Sequence, residues 1–232
     1  MPKLKPETAR ARRAHILDAA ERCFVRRGFH GTSMQDILQE AGVSTGALYG
    51  YFDSKEALIA GLCERDRQDF TRSLEAMAAA PDFIAAMHQM LRHYTVDYPH
   101  RKLVMHLEIG AEATRNHAIQ ALYREVDAAV RAQFTAEIAR AHSAGRLHLK
   151  GALTGIADAL CALGDGLIWR RATDPTFDAQ AVLPVVMAMV AALVEPATDA
   201  ASQAPSSRAA EAGSAAAGAA TSEAETDAEA AS

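Results

Sequence analysis

The chain has 232 residues, half of them hydrophobic, with a formal net charge of −5 and three cysteines. That is enough apolar material for one large domain or two small ones sharing a core, and it excludes a wholly unfolded chain. The longest nearly apolar stretch, 181–194, has 14 residues and contains Pro184, too short for the roughly 20 residues of a membrane-spanning helix.

Charge is sorted along the sequence. Residues 1–55 hold nine Lys/Arg against six Asp/Glu, with Lys3, Lys5, Arg10, Arg12 and Arg13 close together. A basic block of this kind keeps a nucleic-acid partner open despite the acidic total. Residues 197–232 contain no Val, Ile, Leu, Met, Phe, Trp, Tyr or Cys and carry six acids against Arg208. Such a segment cannot bury enough apolar surface to offset its ordering entropy, so a disordered acidic tail is expected there. The basic start lacks the apolar segment of a secretory signal, which makes a cytoplasmic protein the expectation. Cys23, Cys63 and Cys161 lie far apart in apolar surroundings; reduced core thiols are expected, with no metal site and no cofactor.

In chain order, apolar residues recur every three or four positions almost to residue 194, and alternating strand patterns do not appear. The fold class is therefore all-α. A first helix is expected over 7–27, stopped by Gly28, with Ile16, Leu17, Ala20, Cys23 and Phe24 on one side. Two short helices follow over 34–41 and 45–51. Long helices are expected from about 54 to before Pro81, then over 83–98, 101–113 and 117–143. The last two cover 153–172 and 179–194, where Pro184 implies either a kink or a start near Leu183.

The informative stretch is GFHGTSMQDILQEAGVSTGALYGYFDSKE, residues 28–56. Ser33 and Asp36 have capping-box spacing for the first short helix. Gly42 suits a left-handed stop, and Ser44 can cap the second helix. Asp53 and Glu56 repeat the capping-box spacing before the next long helix. Ile37, Ala41, Val43 and Leu48 are spaced to meet between the two short helices. This is a helix-turn-helix pattern, with the second helix offered to a DNA major groove.

Residues 13–62, through ILDAAERCFVRRGFHGTSMQDI and AGVSTGALYGYFDSKEALI, resemble the DNA-binding domain of TetR/AcrR-family transcriptional regulators. The resemblance implies three DNA-binding helices (1–53), a helical effector and dimerisation domain (54–196), and the tail (197–232). One departure is Leu38, where the family usually has a small alanine. By the same resemblance, Thr45, Tyr49, Tyr51 and Lys55 touch phosphates or base edges, while Thr32, Ser33 and Gln35 lie at the DNA backbone. Ser44 stands at the start of the reading helix, and Gly46 and Gly50 allow close approach to the groove. No Arg, Asn or Gln occurs in that helix, so base identity is expected to come from Gln35, Thr45, methyl contacts by Ala47 and DNA shape.

For the effector, the candidate lining is Phe70, Leu74, Met77, Met87, Met90, Leu91, Tyr94, Met105, Ile109, Tyr123 and Phe134, although an apolar side chain at helical spacing is more often plain core. Glu108 and Glu112 share a helical face and could compensate a cationic effector. The simpler reading is a surface pair, Glu112 with Arg115. His88, His93 and His106 lack helical ligand-pair spacing and do not imply a metal. The last two helices, apolar nearly all round, are expected to form a homodimer interface through Leu160, Cys161, Gly164, Leu167, Val186 and Val190. A central core helix is the alternative. No GxSxG, HExxH, P-loop or GxGxxG pattern occurs, so an enzyme is not expected. The partners expected are a double-stranded DNA operator, a small-molecule effector and a second copy of the chain, with repression relieved by a largely apolar ligand. A ligand-independent architectural DNA-binding protein is the rival reading.

Overall fold

The computed structural model describes residues 6–196; the expected acidic tail, Lys3 and Lys5 lie outside the described residues. The N-terminal helices are α1 (Pro6–Arg27), α2 (Met34–Ala41) and α3 (Thr45–Tyr49). They are followed by α4 (Lys55–Ala79), α5 (Phe83–Arg92), α6 (His100–Ala113), α7 (His117–Ser143), α8 (Leu153–Thr173) and α9 (Ala179–Leu193). The all-α expectation holds, with helix ends mostly within two residues of those expected.

Three differences have physical causes. Ser54, not Asp53, caps α4, accepting from the Ala57 amide at 3.1 Å. The helix expected over 83–98 closes at Arg92 and continues as a π-helical turn, His93–Asp97, in which the Thr95 hydroxyl donates to the Leu91 carbonyl. A wider turn of this kind leaves no trace in apolar spacing. Finally, β1 (Leu147–Leu149) pairs antiparallel with β2 (Val194–Pro196), Leu149 opposite Val194. Three-residue strands are too short to show an alternation. α9 starts at Ala179, with Asp178 as its cap, and runs through Pro184; the start near Leu183 does not occur.

Two apolar cores hold the described residues together. The first gathers Ile16, Leu17, Phe24, Ile37, Leu48, Phe52, Leu58 and Leu62 from α1–α4, and includes Met105 and Ile109 of α6. The second joins Leu74 and Met77 of α4 to Phe83, Met87, Phe134, Ile138, Ile156 and Val190. Because α4 and α6 enter the first core, the three N-terminal helices are seated on the body through shared apolar packing. Gly61 permits this: a Cβ there would lie 2.9 Å from both Leu17 Cδ2 and Phe52 Cε1, inside van der Waals contact.

Candidate nucleic-acid interface and ligand cavity

The helix-turn-helix is built from local hydrogen bonds. Ser33 Oγ accepts from the Asp36 amide at 3.1 Å while Asp36 accepts from the Ser33 amide at 2.9 Å, satisfying two orphan donors of α2 reciprocally. Gly42 ends α2 at φ 61°, and Ser44 Oγ accepts from Ala47 at the start of α3. His15 of α1 reaches the Ala41 carbonyl at 2.7 Å and anchors the far end of α2. With these groups satisfied internally, α3 turns its outer face free. Ser44, Thr45, Gly46, Tyr49 and Gly50 are exposed, as are Ser33 and Gln35 on α2, and Ala47, Tyr51 and Lys55 are half-buried.

Two of the expected contacts are placed differently. The Thr32 side chain is buried, its hydroxyl set against the Cys23 and Gly28 carbonyls. It braces the loop after α1 and does not face outward. Lys55 donates to the Phe29 carbonyl at 2.6 Å and lies over the Phe29 ring, leaving only its remaining protons for another partner. The α1 cations divide similarly. Arg22 and Arg26 both pair with Glu40, Arg27 pairs with Asp36, and Arg13 stacks over Phe52, whereas Arg10 and Arg12 are exposed. Hydrogen bonds from Ser33, then Arg27, hold the Asp36 carboxyl down at about 2, and Arg26 and Arg22 do the same for Glu40.

A cavity of about 280 Å³ opens among α4–α8. Phe70, Met87, Met90, Leu91, Tyr94, Ile109, Tyr123 and Phe134 line it as expected. Leu74, Met77 and Met105 do not; they are fully buried core side chains. Glu108 lies beside Gly28, away from the cavity. Glu112 is not a surface acid either. It is buried, 2.7 Å from Arg115 and 3.1 Å from His30. The lining that periodicity missed includes polar side chains, residues of α8 and apolar positions elsewhere: Tyr98, Lys102, His106, Asp127, Cys161 and Asp165, with Leu103, Val126, Val130 and Val190. The π-helical turn explains Tyr98, since it brings the Tyr94 and Tyr98 rings to 5.2 Å, beside Phe70. Burial keeps the thiols protonated, Cys63 at about 12 and Cys161 at about 11. All three cysteines are free. Among the described residues no His/Cys/Asp/Glu group is arranged to hold a metal ion.

An ion cluster joins the cavity wall to the N-terminal unit. Glu21 of α1, 1% exposed, accepts from Arg65 of α4 and from Arg101 of α6 at 2.9 Å, with Lys102 at 3.1 Å. Arg65 also holds Asp18 at 2.8 Å, and Lys102 bonds Asp66 at 2.6 Å. Burial alone would raise the Glu21 carboxyl; Lys102 and Arg65 outweigh it and hold the group below its ordinary range.

The residues expected at a dimer interface face inward. Val186, Val190 and Leu167 are buried, and Leu160, Cys161 and Gly164 line the cavity. The outer faces are instead Gly155, Ala159, Ala162, Gly166 and Trp169 on α8, with Ala181, Val185, Ala188, Met189 and Ala192 on α9. Trp169, Val185 and Met189 are 59%, 63% and 51% exposed. The residues expected to be free for a partner are thus turned toward the chain's own interior. In helices apolar all round, periodicity does not distinguish the core face from the outer one.

Known proteins share these features. Residues 16–62 match the family model described as bacterial regulatory proteins, tetR family, and residues 83–195 match the BetI-type transcriptional repressor C-terminal model. The chain is 35% identical over 91 residues to the HTH-type transcriptional repressor Rv1474c of Mycobacterium tuberculosis, covering 39% of this chain and 46% of that protein. It is 32% identical over 117 residues to the HTH-type transcriptional regulator UidR of Escherichia coli, covering 50% and 59%. The matched region thus spans about half the length of these curated relatives. Among solved structures, Salmonella enterica GusR superposes with TM-score 0.70 at 24% identity, over 82% of this chain and 97% of that one. The SmeT–triclosan complex superposes with TM-score 0.67 at 22% identity, over 82% and 93%. At these identities the two structures establish the fold alone. No described helix is long and apolar enough to cross a membrane.

Proposed function

Because the chain belongs to the tetR family of bacterial regulatory proteins, we propose that it is a dimeric transcriptional repressor that binds a palindromic operator and leaves it when a small molecule fills the α4–α8 cavity. The observation that carries the reading is the bare outer face of α3. Ser44, Thr45, Gly46 and Tyr49 stand exposed on a helix whose supporting hydrogen bonds are all internal, the form in which a recognition helix meets a major groove. Gly46 has open space where a Cβ would stand, so a DNA strand can approach its backbone. Arg10 and Arg12, exposed on α1, supply sequence-independent attraction to phosphate.

Dimerisation uses the outer faces of α8 and α9. Small residues at Gly155, Ala159, Ala162 and Gly166 let two copies approach closely, and Trp169, Val185 and Met189 supply apolar area that a monomer leaves in water. Two such copies carry two reading helices, which sets half-sites about one DNA turn apart. The cavity favours a sensor over an architectural protein, since a DNA-packaging role gives no reason for a hollow among packed helices. The SmeT structure, of the same fold, holds triclosan. Release requires that the ligand prefer the form with misplaced reading heads, and its effect cannot exceed that difference in affinity.

Footprinting on the DNA upstream of the gene tests the reading. A protected two-fold site is expected, lost when Val185→Glu abolishes the dimer in sedimentation. Binding that is salt-sensitive but independent of sequence would replace the repressor with the architectural protein.

A further inference from the structure

Three carboxylates and three cations meet where α1 packs against α4 and α6. Glu21 of α1 is paired with Arg65, Arg101 and Lys102, and Asp18 with Arg65. Asp66 of α4 is paired with Arg65 at 3.3 Å and with Lys102 at 2.6 Å. Arg65 and Lys102 are thus each shared by two carboxylates, Glu21 in the N-terminal unit and Asp66 in the cavity wall. Lys102 lines the cavity beside Asp66.

The two carboxylates are not equivalent. Glu21 is 1% exposed and Asp66 30%. Water can solvate Asp66 when a cation leaves it, whereas Glu21 would keep an under-compensated charge in a closed site. Against the burial that would raise the Glu21 carboxyl, Lys102 is the strongest of the cations that lower it. Yet the Lys102 ammonium stands 2.6 Å from Asp66 and 3.1 Å from Glu21, nearer the acid that needs it less. What acts on Glu21 reaches the helix-turn-helix through α1, since His15 bonds the Ala41 carbonyl and Arg22 and Arg26 hold Glu40 of α2.

We propose that Lys102 couples the cavity to the reading helices: its ammonium is divided between Asp66 and Glu21, and the share given to Glu21 sets how firmly α1–α3 are held for the operator. An occupant of the cavity meets Asp66 and Lys102 directly, so it acts by changing that division, whatever its own chemical class. Reading helices held less firmly spend less time in the competent arrangement, and the apparent operator affinity falls by that fraction. The inference rests on the reading of the chain as an operator-binding protein with a sensing cavity.

Two substitutions in the full chain, Lys102→Met and Asp66→Asn, separate this role from simple packing. Fluorescence anisotropy gives the affinity for the footprinted operator and for a duplex of unrelated sequence and equal length. The ratio of the two cancels the change in overall charge. Lys102→Met is expected to lower that ratio about tenfold, the scale of one partly buried charge pair, and Lys102→Arg to keep most of it. Asp66→Asn leaves Arg65 and Lys102 to Glu21 and is expected to raise the ratio about threefold, the scale of a partly exposed pair. Packing alone would make both losses act in the same direction. A ratio unchanged in Lys102→Met, or unchanged or lowered in Asp66→Asn, overturns the coupling role. An unaltered chain that binds both duplexes equally overturns the operator reading instead. Should Lys102→Met not fold, the direction of the change in Asp66→Asn decides alone.

Discussion

The helix-turn-helix and the cavity are held by different kinds of interaction. The first is assembled from contacts between residues near in sequence: Ser33 with Asp36, Ser44 with Ala47, and the left-handed turn at Gly42. The second is a space left between six helices, and its polar lining comes from residues such as Asp66, His106, Asp127 and Asp165, which share no sequence motif. A locally capped unit can be moved as a body without losing its shape, whereas a cavity changes whenever one of its walls shifts. That division suits a sensor in which the space changes and the reading unit follows.

Glu21 is where the two regions meet, so its removal should have the largest effect. Glu21→Ala removes the buried carboxylate shared by Arg65, Arg101 and Lys102, leaving Arg65 and Lys102 only Asp66 in common, and loss of one partner of a buried ion cluster costs about 3 kcal/mol. Urea denaturation should show that loss. A second, earlier transition reporting on α1–α3 would mean that the N-terminal unit is held to the body chiefly by this cluster and not by the shared apolar core. Gly61→Ala tests the apolar half of the same seam. Its Cβ would meet Leu17 and Phe52, and overpacking of that kind costs about 1–3 kcal/mol. An unchanged denaturation midpoint would show that α1 and α4 are less tightly fitted than their packing implies.

Acid separates the two regions by sign. The folded Asp36 and Glu40 carboxyls, at about 2, lie below their ordinary values of 3.8 and 4.5. Their contribution to stability is present above those ordinary values and is lost as pH falls towards 2. Asp165 is shifted the other way. Its burden is present at neutral pH and is relieved as pH falls through its raised value. Near pH 4, amide exchange in α2 should therefore be weakening while that around Asp165 in α8 is not; parallel weakening would contradict the assignment. The smallest effect is expected at Lys55. Since its amine is bonded to Phe29 and stacked on that ring, Lys55→Ala should lower DNA affinity alike for all sequences and reduce the salt slope by at most about one unit.

How far the sequence could be read depended on the range of the interactions involved. Ser33, Asp36, Gly42 and Ser44 announce the helix-turn-helix because each acts on a neighbour three or four positions away, a distance that local spacing records. Thr32 could be placed in the right loop but not given the right direction. Its inward turn depends on carbonyls at Cys23 and Gly28 that only the closed loop brings to it. Met105 and Tyr123 look alike as apolar positions in helical stripes, yet one is in the core and the other on the cavity wall.

The amino-acid sequence by itself determined the all-α class, the positions of the nine α-helices of the described residues, the capped helix-turn-helix and the resemblance to a regulator family. Those follow from periodicity and short-range hydrogen bonding, which a linear chain carries in its spacing. Only the tertiary structure decided which side of α8 faces the cavity and which faces outward, that Asp165 and not Glu108 lies in the cavity wall, and that Glu21 joins the reading unit to the body. Each of these depends on residues from helices far apart in sequence, and on what occupies the space between them, which no single helix encodes.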